Sequence, residues 1–125
     1  MRAAIATAQA PQAIGPYSQG VDAGHAVFVS GQIPAGPDGT LIKGSIGEQT
    51  ERCVRNIEAV LKAAGLSLAD VAKTTVFMTD LREFSAMNEV YAKLFPAPCP
   101  ARSTVQVTAL PKGAAVEIEA IAVRR

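Results

Sequence analysis

The sequence predicts an α+β domain, and three observations carry that expectation. The β-branched and apolar run His25-Ala26-Val27-Phe28-Val29-Ser30 stops at a glycine followed by the turn-rich Pro34-Ala35-Gly36-Pro37-Asp38-Gly39. Between Ile46 and Ala64 the apolar positions Cys53, Ile57, Val60, Leu61 and Ala64 recur at helical spacing. A second helical segment then alternates with strand-like runs, giving the order strands, helix, strand, helix, strands.

Each element has its own reason. Ser18 to Ala23 is placed to pair with the 25–30 strand across Gly24, and Gly31 is expected to end that strand. Gly65 supplies a C-terminal stop for the first helix. Lys73-Thr74-Thr75-Val76-Phe77-Met78-Thr79 reads as a strand because it is β-branched and apolar. Asp80 and Glu83 form a capping-box variant that opens the second helix, with Phe84, Met87, Tyr91 and Leu94 along one face. Pro96, Pro98 and Pro100 end that helix and stiffen the loop after it. Two strands, Ser103 to Val107 and Ala115 to Val123, close the chain through Leu110-Pro111-Lys112-Gly113.

Composition narrows the function. A chain of 125 residues builds one domain with a single core. A net charge of +1 gives no electrostatic footing for nucleic acid or an anionic membrane. No apolar run is long enough to span a bilayer, and the opening residues are too weakly apolar for a secretory signal. Cys53 and Cys99 share no CxxC spacing, so a reduced, cytoplasmic protein is expected. His25 is the only histidine, and no Cys/Asp/Glu spacing substitutes for a histidine cluster, so no metal is expected.

The last strand carries a further inference. Val116, Ile118, Ala120 and Ala122 point to one face, and Glu117, Glu119, Ile121 and Val123 to the other. Two helices of these lengths cover one face only, which leaves the second, partly apolar face wet in a monomer. A closed homo-oligomer is therefore expected, with the glutamates at or near its interface.

Two residues point to chemistry. Arg102 follows the proline loop at the start of a strand, and a guanidinium held there is a fork for a small carboxylate. Glu117 lies in a largely apolar strand, where a carboxylate is costly unless paired or used.

Five separated motifs then agree in order and spacing: Ile14-Gly15-Pro16-Tyr17-Ser18-Gln19, Val29-Ser30-Gly31-Gln32-Ile33-Pro34, Asn56-Ile57, Pro100-Ala101-Arg102-Ser103, and Val116 to Ala122. On these the chain resembles the RidA (YjgF-type) proteins, the enamine/imine deaminases, over essentially its whole length. The resemblance implies a chorismate-mutase-like mixed sheet with two helices on one face, assembled as a homotrimer with sites between subunits. It implies hydrolysis of 2-iminobutanoate and 2-iminopropanoate to 2-oxo acids and ammonia, without a cofactor. That activity would protect pyridoxal-phosphate enzymes and link the protein to pyridoxal-phosphate dehydratases without a stable complex. By resemblance Arg102 grips the substrate carboxylate with help from the backbone at Gly31. Glu117 positions or deprotonates water, Tyr17 and Ser30 line the pocket, and the loop around Asn88 and Tyr91 contributes. The chain departs from several members in carrying Thr104 where they have a cysteine, which favours a water mechanism.

Blander readings stand beside these. Arg102 could form a surface ion pair, Glu117 or Glu119 could pair with an arginine across a subunit seam, Tyr17 could pack its ring on the core, and Ser30 could satisfy backbone groups. Competing functions are a module that binds a 2-oxo acid or amino acid without catalysis, and a chaperone-like or ribonuclease role.

Overall fold

The computed structural model describes residues 2–125. Its elements are β1 (Ala3–Ile5), β2 (Gly20–Asp22), β3 (Ala26–Gln32), α1 (Ile46–Ala63), β4 (Val71–Met78), α2 (Phe84–Leu94), β5 (Ala101–Gln106) and β6 (Val116–Val123). The six strands form one sheet in the order β1-β2-β3-β6-β4-β5. Every neighbouring pair is antiparallel except β4–β5. The mixed α+β architecture expected from the sequence is the one observed.

The topology explains why both helices share a face. Since β6 runs against both β3 and β4, those two strands are parallel to one another and are joined through α1. The parallel pair β4–β5 is joined through α2. Both crossovers step the same way along the sheet, so right-handed connections put both helices on the same side. Between them and the sheet lies the core, in which Cys53, Val54, Ile57, Val60 and Leu61 of α1 meet Val27, Val76, Met78, Val116 and Ile118. Met87 and Tyr91 of α2 complete it.

Local chemistry sets the helix ends. Ser45 accepts from the Glu48 N–H while the Glu48 carboxylate accepts from the Ser45 N–H, a capping box that starts α1. At the other end Gly65 takes φ +77°, and the N–H groups of Gly65 and Leu66 reach back to Lys62 and Leu61.

Several expectations need correction. β3 does not end at Gly31 but continues to Gln32, with its register against β6 shifting between Val29 and Gln32. Asp80 and Glu83 do not cap α2. The Asp80 carboxylate accepts from the Arg82 N–H two residues on and holds the Arg82 guanidinium at 2.9 Å, which closes a single 3-10 turn over Leu81–Glu83. α2 then begins at Phe84 with no side-chain cap. The short strand β1 was not anticipated from sequence, because its three residues gain strand character only by pairing with β2.

On the sheet face away from the helices, the alternation read from β6 is observed: Val116, Ile118, Ala120 and Ala122 are buried, while Glu119 is exposed and Glu117, Ile121 and Val123 are half-buried. Phe28 and Val105 remain 47% and 42% exposed. This apolar strip is the wet face that the sequence implied.

Candidate functional site

The candidate residues fall into two clusters. The first is built around Arg102. In the parallel register Arg102 lies beside Thr74, which is fully buried on the helix side of the sheet and shares a 2.6 Å hydrogen bond with the Tyr91 hydroxyl. Phe84, Asn88 and Tyr91 recur at i, i+4 and i+7 along α2, so they present one surface to β5. The Arg102 guanidinium donates to Asn88 Oδ1 at 2.7 Å and lies 4.7 Å from the Tyr91 ring centroid and 5.5 Å from that of Phe84. Aromatic faces hold a cation without consuming its donors. Among the described residues no carboxylate pairs with Arg102. Within one chain, then, Arg102 forms no surface ion pair among the described residues.

Asn88 and Tyr91 lie on α2, as the helical spacing of Tyr91 predicts and not on the loop that the resemblance implied. Phe84 was legible only as one apolar position of the helix, although the spacing to Asn88 and Tyr91 already aligned all three. Thr104, two residues after Arg102 and on the same face of β5, has a buried hydroxyl without a hydrogen-bond partner.

The second cluster is built around Glu117 on the opposite face. Its carboxylate lies against the backbone of Gly31, so a methyl group on Gly31 would stand 2.9 Å from the Glu117 carboxyl carbon. Any side chain at residue 31 would therefore displace the Glu117 carboxylate, at the point where the β3–β6 register slips. Burial, with a smaller contribution from the like charge of Glu119, pushes the Glu117 carboxyl above its ordinary range.

Tyr17 and Gly31 line a cleft of about 640 Å³, together with Ile14, Gln32, Ile33 and Lys112. Tyr17 is 54% exposed rather than packed on the core. Ser30 donates its hydroxyl to the Ser18 carbonyl at 2.6 Å and its N–H to the Gln19 carbonyl at 3.0 Å, tying the Tyr17 segment to β3. Asn56, fully buried in α1, donates to the carbonyls of Ile33 and Ala35 at 3.2 and 2.9 Å and so pins the chain just beyond Gly31. A larger cleft of about 940 Å³ along the outer side of α1 contains none of the candidate residues.

One chain does not bring Arg102 and Glu117 together. They project from opposite faces of the sheet, on strands separated by β4. His25 lies in the exposed turn before β3, and Cys53 is buried with its thiol pushed up by burial. Among the described residues, no group of three or more His, Cys, Asp or Glu side chains is arranged to hold a metal.

Comparison with known proteins locates this arrangement. The family model described as endoribonuclease L-PSP matches residues 7–124. A RutC family protein from Pyrococcus abyssi is 51% identical over 119 residues, covering 94% of both chains. The human protein named 2-iminobutanoate/2-iminopropanoate deaminase is 44% identical over 125 residues, covering 99% of this chain and 91% of its own. The crystal structure of Escherichia coli TdcF with bound serine superposes with a TM-score of 0.93 at 49% identity, covering 98% of this chain and 99% of that one. The chain belongs to the endoribonuclease L-PSP family, which is also that of the YjgF and RidA proteins.

Proposed function

We propose that this protein hydrolyses reactive 2-imino acids, such as 2-iminobutanoate and 2-iminopropanoate, to 2-oxo acids and ammonia, in a homotrimer whose sites lie between subunits. One observation carries the reading. Arg102 is stacked, oriented and unpaired on one face, Glu117 is half-buried over Gly31 on the other, and only a second copy can bring such groups to one ligand. The apolar outer face supports the assembly, since burying Phe28 and Val105 would contribute roughly 1 kcal/mol or more each. A named deaminase among the relatives supports the chemistry.

The reaction asks little of the protein. A protonated imine carbon is already electrophilic, so orientation of the acid and placement of one water are the main contributions. Arg102 holds the α-carboxylate through the donors that Asn88 leaves free. Water adds to the imine carbon as Glu117 takes its proton, giving a neutral carbinolamine. Glu117 returns that proton to the amino nitrogen, and the C–N bond breaks to expel ammonia. The hydroxyl becomes the oxo group as its proton passes to the freed Glu117 carboxylate, which hands it to the departing ammonia as ammonium or to solvent. Removing imines released by pyridoxal-phosphate dehydratases would protect the enzymes they damage. The TdcF structure with bound serine favours a second reading, in which the cleft binds a small amino acid without turnover. Glu117→Gln separates the two, because it should spare binding and stop hydrolysis.

The test of assembly is complementation. Arg102→Ala and Glu117→Gln proteins, each inactive alone, are unfolded together and refolded as a mixture. A mixed trimer has one site with both residues intact, so an equimolar mixture is expected to recover about a quarter of wild-type activity. Sites contained within single chains would recover none.

The Glu117 environment gives a pH prediction. A base must be ionised, so kcat/KM should fall as acid protonates Glu117, with a midpoint above the ordinary glutamate range. Glu119→Gln removes a like charge and should move that acid limb to lower pH. An acid limb unmoved by Glu119→Gln would assign the titration to another group.

A further inference from the structure

We infer that Gln19 is a positioning residue that sets where Tyr17 and the neighbouring cleft wall stand. The inference rests on the deaminase reading for its kinetic consequence, but its geometry is independent of it. Gln19 is only 3% exposed, in a part of the chain where most side chains are wet. Its amide Nε2 donates to the carbonyls of Thr7, Ala10 and Pro11 at 3.1, 3.3 and 2.7 Å, and its Oε1 accepts from the Thr7 N–H at 2.6 Å. The segment from Thr7 to Gln12 belongs to no helix or strand, so these bonds serve backbone groups that no ladder satisfies. Pro11 and Gln12, at the end of that segment, form part of the wall of the cleft shared by Tyr17 and Gly31.

The same residue is tied in a second direction. The Gln19 carbonyl accepts from the Ser30 N–H, and the carbonyl of Ser18 accepts from the Ser30 hydroxyl. Three pieces therefore meet at Gln19: the 7–12 segment, the stretch carrying Tyr17, and β3 where it reaches Gly31. Tyr17 lies two residues away and is more than half exposed, so it is held less by core packing than by the backbone that carries it. Only an amide can fill this place. A carboxylate would set its lone pairs against three carbonyls, and an apolar side chain would leave the Thr7 N–H and the Pro11 carbonyl without partners and the Thr7 and Ala10 carbonyls with Gln12 Nε2 alone.

The experiment separates positioning from general stability. The chain has two tyrosines and no tryptophan, so a ring-labelled sample gives two tyrosine NMR signals, assigned by Tyr17→Phe. In Gln19→Met the Tyr17 signal should shift or broaden while that of Tyr91, in the core, stays in place. For imine hydrolysis the same variant is expected to raise KM about tenfold with kcat within about threefold. In a Tyr17→Ala background its effect should shrink to less than about twofold, because it acts through the ring that is gone. Gln19→Asn, which keeps the amide but draws it back by one methylene, serves as the milder variant should Gln19→Met not fold. A fixed Tyr17 signal with unchanged KM, or effects that multiply in the double variant, would overturn the inference. A displaced Tyr17 signal in a protein whose wild type hydrolyses no imine would overturn the deaminase reading and leave the positioning role standing.

Discussion

Arg102→Ala is expected to reduce kcat/KM for imine hydrolysis by about 10²–10³-fold, with a much smaller loss of melting temperature. The loss follows from removing a charge-assisted fork to the substrate carboxylate, worth about 3–4 kcal/mol in a water-excluded site. The stability loss is smaller because Arg102 lies on an edge strand and, among the described residues of one chain, pairs with no carboxylate. Arg102→Lys sharpens the point. It keeps the charge but loses the planar stack on Tyr91 and Phe84 and the bond to Asn88, so recovery should be partial. The measurement uses imine generated in place from threonine and a dehydratase, with semicarbazide trapping what survives. Wild type should suppress the adduct and Arg102→Ala should not. Equal suppression by both would remove Arg102 from the site.

Most of the fold was legible because its signals are local. The stripe on α1 and the β-branched run of β4 are each set by residues that touch along one element. The strand β1 and the slip in β3 were not legible, since both depend on a partner strand distant in sequence. Asp80 misled for a related reason: Arg82 offers its carboxylate a closer partner than the helix does. At the site, the residue types of Arg102 and Glu117 were readable from their settings. That they face opposite ways was not, because facing follows from which strands neighbour which. The strand alternation of β6 nonetheless exposed the second face, and with it the argument for assembly.

Glu117→Gln is expected to lower kcat by about 10²–10⁴-fold and at the same time to raise stability at neutral pH. The two effects have one origin. Burial over Gly31 and the charge of Glu119 lift the carboxyl's folded-state pKa above its unfolded value, so the folded protein resists ionisation that the unfolded chain accepts. The sign is therefore fixed. The contribution of Glu117 to stability is full below the ordinary glutamate range and is lost as pH rises through the raised folded value, whereas glutamine has no proton to lose. Melting temperatures of the two proteins should converge at about pH 4 and separate at about pH 7.5, with the variant higher. A guanidinium from a second copy would pull the carboxyl back down and narrow that gap. Adding Glu117→Gln to an Arg102→Ala background should therefore stabilise more than adding it to wild type. Equal increments in both backgrounds would mean that the two residues never share a site, and the intersubunit deaminase would lose its catalytic pair.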